Sequence, residues 1–484
     1  MKNSQKKPLV GPVSWISISL MVIILTGCAS VGPNFVPPKT SVSTDWNAHL
    51  KGGLKAQEVD PRTLAAWWTT LDDSVLSRLI ERALSGNLDL KKAGARIREA
   101  RSRRGIAKAD RFPTLDASGS VVRSRGSEET GSGNTGSLYA AGIDAAWELD
   151  IFGGVRRSVE AAEADLGATE EGLRDTLVSL LAEVALNYIE VRTFQARLTV
   201  AEANLAAQSE TYQLTLWRFE AGLSDKLAVE QAQFNLENTR SQIPTLRTGS
   251  EQAKNRIAVL LGEQPGIVHK ELKQYKPVPI TPLEVTVGVP ADVMRRRPDV
   301  RKAERELAGQ TARIGVATAD LYPKFKLNGS IGLEAFSFGN LLSWGSRTLS
   351  GSSGISWRIF DAGAIRQNIE VQSALQEQYL IAYEAAVLGV LEEVENALVA
   401  YAEEQNRRQS LTETTRAAQR AVEIAQYKYQ TGLADFSNVL DAQRSLLSFQ
   451  DQLAQSEGTI ASNLVRLYKA LGGGWTSLAP EETK

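Results

Sequence analysis

Seven apolar residues occupy one heptad position in the first half of the chain: Leu177, Val184, Val191, Leu198, Leu205, Tyr212 and Phe219. A strict spacing of seven keeps one seam of an under-wound helix turned toward a partner, so the pattern predicts coiled-coil packing. The second half repeats it with Leu380, Val387, Val394 and Tyr401, breaks at Arg408, and resumes in another phase at Leu411, Ala418 and Ala425. Small residues, as in AAEADLGA at 161–168, permit close helix approach. The predicted long helix runs from about Gly154 to Ala221, roughly 100 Å at the α-helical rise. It ends at Gly222, suited to a left-handed cap, and Asp225 is placed to cap the next helix, which runs to about Leu261. That helix spans roughly 55 Å, and one at about 87–109 spans roughly 35 Å. Each half therefore sets two shorter helices end to end beside one long helix, with Pro244 bending the first half's shorter helix.

A period of two interrupts the helices once in each half. In KFKLNGSIGLEAF (324–336), Phe325, Leu327, Ile331 and Leu333 share one face, and Lys324, Lys326, Asn328, Ser330 and Glu334 the other. The expected return strand sets Ile355, Trp357 and Ile359 against Ser356 and Arg358. In the first half Tyr139, Ile143, Trp147 and Leu149 alternate with polar or small residues. An apolar face opposite a charged one, with aromatics near the strand ends, is the pattern of a transmembrane β-barrel. A sandwich strand with one wet face gives the same alternation, and alternation alone favours it. The long helices and the leader described below turn the reading toward the membrane. Two hairpins make four strands, which cannot close, and open edges are not tolerated in lipid. Small transmembrane barrels begin at about 8 strands and are filled by side chains, so a lumen wants about twelve, the contribution of three chains.

The two halves are copies. AKADRFPTLDASGS (107–120) aligns with ATADLYPKFKLNGS (317–330) at an offset of 210. The same offset superposes Trp147 on Trp357, Gly153 on Gly363, Arg156 on Arg366, Gly222 on Gly432, Asp225 on Asp435, and Leu261-Gly262 on Leu471-Gly472. The expected repeats are 67–276, with a hairpin at about 113–150, and 277–472, with one at about 323–361. Prolines 265, 277, 279, 282, 290 and 298 crowd an irregular linker, and none falls between Pro113 and Pro244 or between Pro323 and Pro480. Residues 28–66 are expected to form an extended N-terminal segment, and 473–484 a tail.

Residues 1–27 have the form of a removable leader, with Lys2, Lys6 and Lys7 before the apolar run VSWISISLMVIIL (13–25). The run is too short for a spanning helix. LTGC (25–28) resembles a bacterial lipobox, which implies lipidation of Cys28; Ala29 follows, with no Asp there to signal inner-membrane retention. Losing the leader removes three lysines and no acids, taking the net charge from -1 to -4. Of the 484 residues 43% are hydrophobic, enough for a large core. No basic stripe suggests nucleic acid. Two distant histidines, His49 and His269, and one cysteine cannot supply a zinc site, and no disulfide can form within the chain. No cofactor or metal is expected. There is no GxSxG elbow, HExxH or P-loop, so no enzymatic constellation is present. Asp320 and Asp361 are expected to cap or pair beside the second hairpin.

CASVGPNFVPP (28–38), VPADVMRRRPDVRKAER (289–305), the two hairpins, the Gly-Leu-x-Asp turns and YQTGLADFSNVLDAQRSL (429–446) together resemble the outer-membrane factors of Gram-negative efflux systems. The resemblance covers nearly the whole mature chain and is closest to the lipoprotein branch typified by OprM and NodT. It implies the TolC-like fold: mainly α with a small β part, a coiled-coil α-helical barrel, and a twelve-stranded transmembrane β-barrel shared by a homotrimer. It also implies a periplasmic adaptor, an inner-membrane pump usually of the resistance-nodulation-division type, and an outer-membrane location with a lipid anchor at Cys28. Carried over residue by residue, it implies that Tyr429, Asp441 and Arg444 take part in closing the periplasmic end. The tips Gly222, Leu223 and Asp225, with Gly432, Leu433 and Asp435, would face the adaptor. Two other functions are compatible with parts of the pattern. A duct of the same fold can serve type I protein secretion, and a lipid-anchored structural coiled coil would explain the heptads but not the paired hairpins.

Overall fold

A computed structural model describes residues 30–39, 42–57, 60–131, 133–282 and 284–475. Cys28 lies outside them. The chain divides into two compact units. One takes in the chain up to Lys39, Arg96–Thr169 and Lys302–Tyr383; the other takes in Thr40–Ala95, Glu170–Arg301 and Glu384–Lys484. Each unit draws on both repeats.

The helices come in matched pairs. Helices α3 (Leu88–Ala109) and α7 (Pro298–Ala319) have 22 residues each, α4 (Gly154–Glu220) and α8 (Ala364–Gln430) have 67, and α5 (Lys226–Leu260) and α9 (Phe436–Ala470) have 35. Pro244 lies inside α5, which continues through it as one helix. Shorter elements are β1 (Leu54–Lys55), α1 (Pro61–Ala65), α2 (Ser74–Gly86), β4 (Val285–Thr286) and α6 (Pro290–Arg296). Strands β2 (Thr114–Arg125), β3 (Thr135–Leu149), β5 (Lys324–Ala335) and β6 (Arg347–Ser356) complete the fold. Among the described residues no helix is long and apolar enough to cross a membrane.

The first unit holds a four-stranded antiparallel sheet in the order β2-β3-β5-β6. Its register places like with like. Ile143 lies opposite Ile331, Trp147 opposite Leu327, Leu149 opposite Phe325, and Ile331 opposite Leu349. The alternate positions pair Asp144 with Ser330, Ala146 with Asn328, and Ser330 with Ser350. In a single chain the apolar face is uncovered: Ile331 is 62% exposed, Leu349 84% and Ile355 69%. Such a continuous apolar face is built to meet something other than water. The return strand is shorter than expected. It ends at Ser356, so Trp357 and Ile359 lie beyond it. The Trp357 indole instead donates to the Leu321 carbonyl at 3.0 Å, and Trp147 makes the matching bond to Arg111 at 3.0 Å. Asp361 accepts from the Gly363 and Ile365 N–H groups at the start of α8, and Asp320 pairs with Lys324 at 2.9 Å.

In this unit Arg157 clamps the N-terminal segment. Its guanidinium donates to the Val31 and Gly32 carbonyls at 3.0 and 3.2 Å and to Asn34 Oδ1 at 2.7 Å. Gly32 has φ +85°, and a Cβ there would stand 2.4 Å from Gly315 Cα, so this position needs glycine; a Cβ on Gly315 would fall 2.7 Å from Arg157 Cγ, against the clamping side chain.

The second unit carries the apolar core. Trp67 is 1% exposed and stacks on Tyr468 at 5.6 Å, beside fully buried Leu76, Leu79 and Ile80 of α2. Here the shorter helices meet end to start. Asn87 Nδ2, just before α3, donates to the Leu260 carbonyl at the end of α5 at 2.8 Å. Its counterpart Arg297, just before α7, donates to the Ala470 carbonyl at the end of α9 at 2.9 Å. Arg297 also holds Asp299 at 2.7 and 2.9 Å and Glu393 at 2.6 Å. The stretch RPDVRKAE (297–304), part of the motif 289–305, is therefore a structural joint. Burial alone would push the Asp299 carboxyl up, but the Arg297 guanidinium outweighs it and holds the carboxyl below the usual range.

Candidate functional site

The two Gly-Leu-x-Asp phrases form the tips joining α4 to α5 and α8 to α9, and both tips lie in the second unit. Gly222 and Gly432 have φ +72° and +76°. In the first tip Leu223 N–H bonds the Arg218 carbonyl at 2.7 Å and Gly222 N–H the Phe219 carbonyl at 2.9 Å. In the second, Leu433 N–H bonds Lys428 at 2.7 Å and Gly432 N–H bonds Tyr429 at 3.1 Å. This six-to-one and five-to-two pairing is the Schellman motif, which satisfies the last helical carbonyls and requires a left-handed residue. Leu223 and Leu433 stand at the apex, 68% and 74% exposed. Asp225 caps α5 by accepting from Ala228 N–H at 2.8 Å. Asp435 holds the same position before α9, but its side chain makes no cap bond. That differs from the expected equivalence; the neighbouring residue is Phe436, where the first copy has Lys226, and its ring is buried.

Tyr429 and Phe436 are the centre of the second tip. Their rings lie 5.1 Å apart, packed with Val439 and Leu440 of α9 and with Ala228 and Ala232 of α5. Arg218 of α4 lies over the Tyr429 ring at 4.7 Å, a cation–π contact. The Tyr429 hydroxyl is buried without a hydrogen-bond partner. Arg444, one turn beyond Leu440 on α9, donates from Nε to Asn235 Oδ1 of α5 and sits 5.5 Å from the Phe234 ring. Asp441 is 3.7 Å from Arg444 on the same helix, with its side chain 75% exposed. At that exposure the pair is a weak surface contact, and the carboxylate is open to solvent. Tyr429 and Arg444 therefore tie the second copy to the first, and Asp441 is free to face outward.

The sequence did not reveal Arg218, Phe234 or Asn235 as partners. Each comes from the other repeat, and a single chain gives no signal for contacts at such separation. Phe436 had a signal, since an aromatic replaces a lysine at a matched position of the repeat. Above the tips the interior turns polar. Gln208, Thr215, Asn235, Thr239 and Gln443 are all buried. Gln208 Oε1, Asn235 Nδ2 and Gln443 Oε1 have no partner. A bundle filled this way is held less firmly than an apolar one, because unmade hydrogen bonds cost more than made ones contribute.

The comparisons with known proteins agree with this anatomy. The sequence profile of the family described as "Outer membrane efflux protein" matches twice, over residues 79–263 and 289–473. The second match begins and ends 210 residues after the first, the offset of the repeat. "Nodulation protein T" of Rhizobium leguminosarum bv. trifolii is 33% identical over 468 residues, covering 94% of this chain and 97% of that protein. "Solvent efflux pump outer membrane protein SrpC" of Pseudomonas putida is 31% identical over 468 residues, covering 95% and 98%. Among solved structures, the outer-membrane channel OprN superposes with a TM-score of 0.87 at 36% identity, covering 92% of this chain and all of that one. Two profile matches in register with the internal repeat, and full-length likeness in both sequence and fold, lead to one assignment: the chain belongs to the outer membrane efflux protein family and has the TolC-like fold.

Proposed function

We propose that three copies of this chain form the exit duct of a tripartite efflux system, passing small molecules through the outer membrane. The observation that carries this reading is the sheet: four strands, one apolar face, and an unpaired edge strand on each side. In lipid such edges must be closed, and three copies supply about twelve strands, enough for an aqueous lumen. The name of the Pseudomonas putida relative supports small-molecule cargo. Cys28 is the proposed lipid anchor. A periplasmic adaptor docks at the six tips around Leu223 and Leu433 and connects the duct to an inner-membrane pump of the resistance-nodulation-division type.

The duct does no covalent chemistry; its walls bind, repel and close. At rest the second tip closes the periplasmic end. Tyr429 and Arg444 hold it against α5 of the first repeat, and Asp441 projects a carboxylate that recurs three times around the axis. Crowded carboxylates repel one another, so the ring draws cations or stays well solvated. Opening exchanges the Arg444–Asn235 and Arg218–Tyr429 contacts for contacts with the adaptor, a shift between two populations. The test is single-channel conductance in planar bilayers of Asp441→Ala and Arg444→Ala. Arg444→Ala, which breaks the bond to Asn235, is expected to raise the resting conductance, and Asp441→Ala, which removes the carboxylate ring, to change it. Unchanged conductance in both would remove these residues from the gate, and failure to form any pore would overturn the duct itself.

A further inference from the structure

The charges of the four long strands are sorted by face and by end. By the alternation of the register, the carboxylates Asp116, Asp144, Glu148 and Glu334 fall on the polar face, as do Lys324 and Lys326 at the end nearest the helices. Arg123, Arg125 and Arg347 fall on the apolar face, which carries no carboxylate in any of these strands. All three arginines lie at the turn end, away from the helices. Arg125 is tied to Glu128 of its own turn at 3.0 Å. Among the described residues neither Arg123 nor Arg347 has a carboxylate partner. A cation on a lipid-facing strand is costly at the middle of a bilayer and tolerated near its interface. The connection between β5 and β6 (336–346) bends toward the same face. Phe338 meets the Tyr139 ring edge-on at 5.8 Å, and the Arg347 guanidinium lies over the Trp344 ring at 3.2 Å. Phe338 and Trp344 nevertheless stay 72% and 78% exposed, so they are not packed as core. The turn of the first hairpin, GSEETGSGN (126–134), has no aromatic residue.

Below these aromatics the apolar face holds an open groove of about 550 Å³. Ile143, Ile331 and Leu349 form one row across three strands, and Ala141, Leu333 and Arg347 form the next row toward the turns. Gly142 and Gly332 lie opposite each other between the rows and floor the groove with bare backbone. Asp144, Ser330 and Glu334, on the other face, do not line it. Two apolar rows suit a hydrocarbon chain. The guanidinium at the outer row matches a phosphate, which it can meet with paired N–H donors. Aromatic side chains beside it belong at headgroup level. We propose that this groove binds a phosphorylated lipid of the outer leaflet, with one acyl chain between the two rows and a headgroup phosphate on Arg347 beside Trp344. The position selects lipid over a protein segment. In the duct the helices lie on the periplasmic side, so the turn end reaches the outer leaflet, which is built of phosphorylated, multiply acylated glycolipid. The floor belongs to β3 and β5, which pair with each other and with β2 and β6, so it offers an incoming peptide no free ladder to join. This inference rests on the three-copy duct and adds a bound lipid to its outer wall.

The test is native mass spectrometry of the detergent-solubilised full chain, incubated with diphosphoryl lipid A, with lipid A stripped of both phosphates, or with phosphatidylethanolamine. The wild-type particle is expected to retain diphosphoryl lipid A and to hold the stripped lipid at least about tenfold more weakly, the size expected of a charge-assisted bond to phosphate. Arg347→Gln should bring those two lipids level, and Arg347→Lys should recover part of the difference. Ala141→Phe, which fills the groove and leaves the arginine, should weaken both. Arg123→Gln, on the same face but outside the groove, should change little. Equal retention of the two forms of lipid A by the wild type would overturn the site without recourse to any variant. A loss from Arg123→Gln equal to that from Arg347→Gln, or retention indifferent to Ala141→Phe, would also overturn it. Phosphatidylethanolamine held as firmly as diphosphoryl lipid A would overturn the assignment to an outer-leaflet lipid. A particle with three chains' mass that conducts in planar bilayers but retains no lipid would overturn the site and leave the duct standing. A particle with one chain's mass would overturn both.

Discussion

Replacing Arg297 by Ala tests the claim that the RPDVRKAE string is a joint rather than a recognition site. The side chain is 11% exposed and holds two carboxylates and one backbone carbonyl. Removing one partner of a buried ion pair costs about 3–5 kcal/mol because the other charge is left without compensation. Asp299 and Glu393 are 33% and 39% exposed, so water can recover part of that loss, and the low end, about 3 kcal/mol, applies. Asn87→Ala is the internal control. It removes a neutral bond to Leu260 and the cap bond to Leu90 N–H, together worth about 1–2 kcal/mol. The assay is urea unfolding of detergent-solubilised protein followed by far-ultraviolet circular dichroism, comparing midpoints at equal slope. The pH dependence carries the sharper discrimination. Asp299 has its pKa depressed in the folded state, so its contribution is present above the unfolded value of about 4 and is lost as pH falls through the folded value. Without Arg297 the carboxyl keeps only the Val300 and Asp299 N–H groups to set against burial, and most of the depression is lost. The gap between wild type and Arg297→Ala should therefore shrink as pH falls below about 4. An Arg297→Ala cost no larger than that of Asn87→Ala, or a gap indifferent to pH, would refute the joint.

Three other outcomes follow from the geometry. Gly222 and Gly262 share a left-handed φ of +72° and +74°, but a Cβ at Gly222 meets nothing whereas one at Gly262 falls 2.3 Å from the Gly86 carbonyl. Gly222→Ala should cost about 1–2 kcal/mol in urea midpoint, and Gly262→Ala distinctly more; equal costs would show the second approach to be slack. Tyr429→Phe removes a buried hydroxyl that has no partner, so thermal stability should hold or rise, while Tyr429→Ala should lose about 3 kcal/mol or more. Burial, and then the bond to Asp73, raise the Tyr188 pKa, so its contribution is complete below about pH 10 and falls as pH rises beyond it. Tyr188→Phe should abolish that alkaline loss in a pH series of melting temperatures.

Much of the fold was legible because the forces that set it are local. Gly222, Gly432, Gly262 and Gly472 punctuate the helices at their observed ends, and alternation around Phe325 and Ile331 marks a strand wherever it packs. The phase break at Arg408 is visible in burial too: Val394 and Tyr401 are fully buried, Arg408 is exposed, and Leu411 and Ala418 are buried again. What stayed hidden depends on partners far along the chain. Nothing in the neighbourhood of Arg157 announces that it grips Val31 and Asn34. Nothing around Arg444 names Asn235. Where a strand stops was also unreadable: Trp147 and Trp357 are matched in the repeat and make matched indole bonds, yet the first lies inside β3 and the second beyond the end of β6. At the tips the heptad seam loses burial from Val191 to Phe219, so the same sequence pattern covers a packed core at one end and an open surface at the other.

The equal helix lengths of the two repeats bear on how such a chain can change over evolutionary time. Deleting one residue from a helix turns everything beyond it by about 100° and shortens it by about 1.5 Å. In α4 or α8, at 67 residues, that would carry an entire seam off its partner while leaving the matched helix as it was. A viable change of length must come in whole heptads, and in both members of a hairpin and both repeats at once. The helices are thus under a counting constraint that no single indel can satisfy. Tolerated insertions are confined to the segments outside the helical counts, above all the turn between β2 and β3 and the longer one between β5 and β6.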